Sequence, residues 1–344
     1  MAITMQVPVL FTEKNRTSDE ELQLIREMGI DNVDLNFGYE YCSEEGMKEI
    51  LSCLSKFGLT PGNLSCMPLQ KNRPIILAEE NRDEEIKKFN DLIVLAEKVN
   101  VPLVSVAWQP DGILRTGRVS CDCSYGALTG YADMEEIGKR EPLHGREYSL
   151  EEVWDSFDYF LKKTIPNCEA HGVQMALHPN DPPVPMLAGS ASLIYRSEDY
   201  RRAFKLADSK CLTMKMCIGC WLEGGESFGN LMDDIEEFVK EDRVSIVHFR
   251  NVSSTLPSFY ETLAEDGYGN MYAIMKQLLR SGFEGYMSVD HVFSAPEAKK
   301  ENDGYVITAL NQDRTEKPVI RYAYPTGYAK GLMHAAEQEL KGEQ

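Results

Sequence analysis

The sequence predicts an α/β fold closed into a single (β/α)8, or TIM, barrel. Two patterns carry the expectation: short runs rich in branched apolar residues alternate with longer segments of helical period, and eight such units follow one another. Strands separated by helices need crossover connections, which make the sheet parallel. Eight units suggest closure, since a doubly wound open sheet usually carries fewer strands. No Gly-rich fingerprint follows any strand, which leaves dinucleotide binding without support.

The units read in order. "MQVPVLF" (5–11) precedes a helix capped by Ser18, with Glu21 three residues on, and stopped by Gly29. "NVDLNF" (32–37) precedes a helix around 44–57, and the weaker strand "LTPGNLSC" (59–66) precedes the charged helix 83–99. "VPLVSVAW" (101–108) leads into a long polar stretch and a helix from about 149 to 170. "VQMALH" (173–178), "CLTMKMC" (211–217), "VSIVHF" (244–249) and "YMSVD" (286–290) complete the strands. Helical stretches lie near 197–207, 229–241 and 269–281, and a last helix fits 326–341. Residues 1–344 are therefore expected as one domain. Two excursions, 109–148 and 292–325, leave strand ends as candidate active-site loops, because long loops on a compact scaffold are often functional.

Composition narrows the partners. The chain has 344 residues, 43% apolar and 26% charged, ordinary for a soluble globular protein. A net charge of −19 argues against nucleic acid and against anionic membranes. The start "MAITMQVPVLF" lacks a basic segment followed by an apolar one, and no apolar run approaches 20 residues, so neither a signal peptide nor a membrane span is expected. Nine scattered cysteines fit reduced thiols in a cytoplasm. "CDCSYGALTGY" (121–131) has two close thiols without a second pair at zinc-ribbon spacing, and reads as a surface loop.

In a (β/α)8 barrel the active site forms at the C-terminal strand ends. His178 ends the fifth strand, Cys217 the sixth, His248 nearly ends the seventh and Asp290 ends the eighth. Singly, each has an ordinary explanation: a satisfied histidine, core-filling cysteine, a turn-forming aspartate. Four in one register on successive strands point instead to a divalent-metal site.

Residues 152–189, with "ALHPNDPP" (176–183), resemble the mannonate dehydratase family, in which a similar His-Pro-x-Asp-Pro-Pro strand end occurs. "MCIGCW" (216–221) is similar to that family's Cys-Thr-Gly element, "VHFRNV" (247–252) to its His-Leu-Arg-Asn-Val, and "DHVF" (290–293) to its Asp-His-Gly signature. "YPTGYAKGL" (324–332) resembles the closing segment more weakly. The likeness is strong from about 148 to 290 and faint before about 85.

The resemblance implies a metal held by His178, Cys217, His248 and Asp290, usually manganese, with iron, cobalt or zinc as alternatives. It also implies dehydration of D-mannonate to 2-keto-3-deoxy-D-gluconate in hexuronate catabolism, and a homodimer. The acid/base candidates map onto His291 and a C-terminal tyrosine, placed at Tyr324 with Tyr322 and Tyr328 close by. Trp108, Arg115, Asn180, Arg250, Asn251 and Arg321 are candidates to hold the sugar acid, arginine because its fork suits a carboxylate. Chemically, a base takes the C2 proton of a 2,3-dihydroxy acid and an acid protonates the departing C3 hydroxyl. A metal-dependent sugar isomerase or epimerase and a non-catalytic sugar binder are the competing readings, since fold does not fix function. The departures from the family are Asn180 for an aspartate, Tyr260 for a histidine, and Val292-Phe293 after His291; they lead us to expect a changed substrate preference.

Overall fold

A computed structural model describes residues 3–124, 126–293, 297–301, 304–308 and 319–343. Eight parallel strands close into a barrel: β1 (Thr4–Phe11), β2 (Asn32–Phe37), β3 (Thr60–Cys66), β4 (Leu103–Ala107), β5 (Gln174–His178), β6 (Leu212–Cys217), β7 (Val244–Phe249) and β8 (Tyr286–Val289). Each pairs with its neighbours in the sequence, and β8 closes on β1 through Thr4 beside Tyr286.

The helices are α1 (Asp19–Glu27), α2 (Glu44–Ser55), α3 (Arg82–Lys98), α4 (Leu150–His171), α5 (Ser197–Ala207), α6 (Leu231–Lys240), α7 (Met271–Arg280) and α8 (Ile320–Gly342). Their ends are chemical. Ser18 with Glu21 and Ser149 with Glu152 form capping boxes, so orphan N–H groups are satisfied where α1 and α4 begin. Gly172 ends α4 at φ 63°, a left-handed conformation that a side chain disfavours. The helices bury apolar faces against the outside of the barrel, as Leu22 and Ile25 of α1 and Phe157 and Phe160 of α4 do.

Inside, the barrel is more polar than usual. Gln6, Asp34, Asn63, Ser65, Ser105 and Lys215 are all buried and joined by hydrogen bonds running from Gln6 through Asn63 to Asp34, which also pairs with Lys215.

The excursion at 109–148 is less loop-like than the sequence suggests. Gly117–Val119 and Thr129–Asp133 pair antiparallel and join Asn251–Val252 and Ser258–Thr262 in a four-stranded sheet. Thr129–Asp133 finds Ser258–Thr262 more than a hundred residues away, a pairing that local periodicity does not reveal. Cys121 is half-buried beside this sheet. Of the expected lid at 292–325, residues 294–296, 302–303 and 309–318 lie outside the described residues. Glu297–Glu301 and Gly304–Thr308 pair antiparallel. Among the described residues no helix is long and apolar enough to cross a membrane.

Candidate metal centre and active site

His178 and Cys217 are the last residues of β5 and β6, His248 is the penultimate residue of β7, and Asp290 follows β8 directly. Register brings Cys217 beside His248. One donor atom each from His178, Cys217 and His248 lies within 4.8 Å of the others. The two imidazole centroids are 5.2 Å apart, and Asp290 Oδ2 is 3.3 Å from His248 Nδ1.

Two observations show how this donor set suits a divalent cation. His248 Nδ1 is buried without a hydrogen-bond partner among the described residues, although a carboxylate lies 3.3 Å away, which leaves the atom available as a ligand. His178 Nδ1 lies 2.7 Å from the Pro179 carbonyl, which makes Nδ1–H the donor and leaves Nε2 as the free ligand.

The electrostatics agree. Burial opposes ionisation of Cys217, but a hydrogen bond from Cys220, the Arg250 charge and the two histidines bring its thiol well below the ordinary range. Burial likewise opposes the Asp290 carboxylate, and His291 and His248 hold it well below normal. Burial keeps His178 neutral, whereas Asp290 outweighs burial at His248 and raises it to about 9. Two anions converge where His248 otherwise holds a proton, so the cluster favours a positive charge at its centre.

A cavity of about 620 Å³ opens on this cluster, and Arg115, Glu261, His291, Val292 and Tyr322 also line it. His291 is held at φ 50°, an uncommon conformation for a non-glycine residue. Its Nδ1 donates to Glu261, and its Nε2 lies 3.3 Å from Asp290. Glu261 also receives Arg115 at 2.8 Å. Burial raises the Glu261 carboxyl, but His291 and Arg115 bring it well below the ordinary value.

The arginines are not free to clamp a substrate. Arg115 meets Asp181 at 2.6 Å, Glu223 at 3.2 Å and Glu261 at 2.8 Å. Arg250, with a side chain 1% exposed, meets Glu223 at 2.6 Å and Asp181 at 3.1 Å, and is absent from the cavity wall. Gly219 is required by this packing: a Cβ there would lie 2.3 Å from the Arg250 guanidinium carbon. Burial and the neighbouring Asp181 push the Glu223 carboxyl well above its usual value.

Several expected substrate contacts are placed elsewhere. Trp108 is buried and packs edge-on against Phe157 at 4.8 Å. Asn180 spends its amide on the Trp108 carbonyl and the Ile194 N–H, and Asn251 bonds the carbonyls of Ala264 and Gly269. The Trp108 side chain thus packs against α4, while Asn180 and Asn251 tie backbone segments together. Arg321 reaches the Phe293 carbonyl at 3.4 Å and lines, with Tyr324, a second cavity of about 160 Å³ that shares Asp290, His291 and Val292 with the main one. Tyr324 is 58% exposed and bonded to Glu265, while Tyr322, two residues earlier on α8, faces the main cavity. Successive α8 residues point in different directions, which turns Tyr322 toward the main cavity and Tyr324 toward the second. Neither Asn180 nor Tyr260 lines the main cavity, so two of the three departures noted above lie away from it.

The sequence reading missed Asp181, Glu223, Glu261 and the Lys215–Asp34 pair. The pair had a visible signal, since a charge inside an apolar strand is rare unless partnered, and both "CLTMKMC" and "NVDLNF" contain one.

Fold and site together define a (β/α)8 barrel with an imidazole–thiolate–carboxylate centre at its C-terminal mouth. The family model described as D-mannonate dehydratase (UxuA) matches residues 125–317, more than half of the chain. The chain belongs to this D-mannonate dehydratase family. Mannonate dehydratase of Lactococcus lactis subsp. lactis is 39% identical over 143 residues, 40% of this chain and 39% of the relative. That of Streptococcus equi subsp. zooepidemicus is 26% identical over 273 residues, 72% and 74% of the two chains. The match thus spans about two fifths of the Lactococcus relative's length. In three dimensions, the crystal structure of mannonate dehydratase from Streptococcus suis serotype 2 superposes with a TM-score of 0.80 at 21% identity, covering 99% of this chain and 95% of that one. L-ribulose 3-epimerase superposes at 0.59 and 12% identity, covering 99% and 97%, a likeness of fold alone.

Proposed function

We propose that this chain is a metal-dependent hydro-lyase that dehydrates a sugar acid, D-mannonate, to 2-keto-3-deoxy-D-gluconate and water. The observation that carries the reading is a cavity lined by His178, His248, Asp290 and His291, with the Cys217 thiol within 4.8 Å of the His178 and His248 donor atoms, in a chain that belongs to this family. A divalent cation, manganese in this reading, supplies Lewis acidity next to the substrate carboxylate when bound.

The chain's own groups do the rest. His178, Cys217, His248 and Asp290 would hold the cation. His291 takes the C2 proton, because imidazole is suited to proton transfer near neutral pH and Glu261 fixes its Nδ1–H. Tyr322 donates its proton to the C3 hydroxyl as the C3–O bond breaks. The enol that remains becomes the 2-keto acid when C3 is protonated. A place in hexuronate catabolism follows from that substrate, and the scattered cysteines fit a cytoplasmic enzyme.

The test is to incubate the manganese-loaded protein with a panel of aldonic acids and measure 2-keto-3-deoxy acid. Its appearance from D-mannonate supports the reading. Rearranged sugar without loss of water favours an isomerase or epimerase, and no turnover of any panel member overturns the proposal.

A further inference from the structure

The main cavity does not stop at the ligating residues. It continues inward to Asp34, Lys215 and Pro8, so one continuous space joins the candidate metal centre to an ion pair inside the barrel. Lys215 precedes Cys217 by two residues on β6 and faces the same side of the sheet, which sets it ~6.6 Å deeper. Its side chain is 2% exposed, and its one hydrogen bond among the described residues goes to Asp34 Oδ2 at 3.3 Å. An ammonium has three donors, so two remain.

Asp34 is fixed from behind. Its Oδ1 accepts from Asn63 at 2.7 Å and Ser65 at 3.1 Å, and Asn63 is itself tied to Gln6 and Ser105. A buried charge pair held this firmly, with donor capacity left over on a cavity wall, is a built recognition element. A second observation points the same way: Ser288 Oγ is buried, lines the same cavity and has no hydrogen-bond partner among the described residues.

Taking the proposed function as its basis, we infer that Asp34 and Lys215 form a hydroxyl-binding subsite for the polyol end of the sugar acid, deeper in the barrel than the metal centre. The pair is neutral in sum and offers both an acceptor and donors. That suits hydroxyl groups, which do both, whereas a second carboxylate would meet Asp34. Length agrees: four carbon–carbon bonds of ~1.5 Å carry the far hydroxyls of a six-carbon acid about 5 Å from C2. A three-carbon acid does not reach.

The test compares wild type with Asp34→Asn/Lys215→Met, which removes both charges and so leaves no buried charge unpaired. The measurements are KM for the six-carbon acid and the inhibition constant of glycerate, which presents the same carboxylate and 2-hydroxyl without the tail. The hexonate KM should rise about 10-fold or more, the order expected for lost hydrogen bonds to a charged group, while glycerate binds within twofold of wild type. Ser288→Ala supplies a variant that touches no charge, and its hexonate KM should also rise. If hexonate and glycerate weaken together in the double variant, or neither changes, the pair is only structural and the inference is overturned. A wild-type protein that turns over no sugar acid overturns the proposed function itself, a result separate from any behaviour of the variants.

Discussion

Cys217 and Cys220 lie one turn apart, and only Cys217 shares the cluster formed by His178 and His248; Cys220 groups instead with Asp181 and Glu223. Burial pushes the Cys220 thiol well up, and the neighbouring Cys217 adds to this, whereas Cys217 is brought well below its ordinary range. The thiolate is the form that binds metal. Cys217→Ala should therefore lower metal affinity by at least about 100-fold, since even partners outside the ligand set cost 10–100-fold. Cys220→Ala should retain the metal. Metal content after dialysis against a graded chelator checks both, and equal retention by the two variants would remove Cys217 from the ligand set.

His291 next to Asp290 raises a question of roles that one substitution separates. His291→Asn should keep the metal, because Asp290 supplies the carboxylate. Asparagine also tolerates the left-handed backbone found at this position better than most residues. Turnover should fall by about 10²–10⁴-fold, the usual contribution of a positioned acid or base. Metal content together with kcat across pH is the measurement, and an unchanged kcat would reduce His291 to a hydrogen-bonding neighbour of the centre.

Why some of this was legible in the sequence and some was not has a physical basis. The eight strands announce themselves through short branched apolar runs, and even the weak 59–66 segment forms Thr60–Cys66. Because side chains alternate along a strand, the strand ends fix His178, Cys217 and His248 to one mouth of the barrel without knowledge of anything else. The surroundings of the arginines are not legible for the opposite reason. What Arg115 does depends on Asp181, Glu223 and Glu261, which lie 66, 108 and 146 residues away in sequence. No local pattern reports such partners. The choice between Tyr322 and Tyr324 turned on the rotation of α8 about its axis, which a helix with apolar residues on many sides does not specify.

That rotation gives a direct test. Tyr322→Phe should cut kcat by about 100-fold or more if its hydroxyl protonates the leaving group. Tyr324→Phe should change kcat less than twofold, because Tyr324 is exposed and its hydroxyl, bonded to Glu265, is pushed up to about 12. Steady-state kinetics on both variants decide it, and the reverse order of effects would return the acid role to Tyr324.

The two buried glutamates around Arg115 should respond to pH in opposite senses. Burial and Asp181 raise Glu223. A group raised on folding contributes stability that is complete below its unfolded value, about 4.3, and weakens as pH rises above it, so Glu223→Gln should gain on wild type between about pH 4 and 7. For Glu261, burial opposes the charge, but His291 and Arg115 more than offset it, and the carboxyl sits well below the ordinary range. A group depressed on folding contributes stability that is complete above its unfolded value, about 4.3, and is lost as pH falls through its folded value. Glu261→Gln should therefore be clearly less stable than wild type at pH 7, and the gap should narrow as pH falls below about 4. Urea midpoints for both variants at several pH values between 3 and 7 supply the comparison. A constant gap for Glu261→Gln across that range would show that its charge contributes nothing, and that Arg115 is held by Asp181 and Glu223 alone.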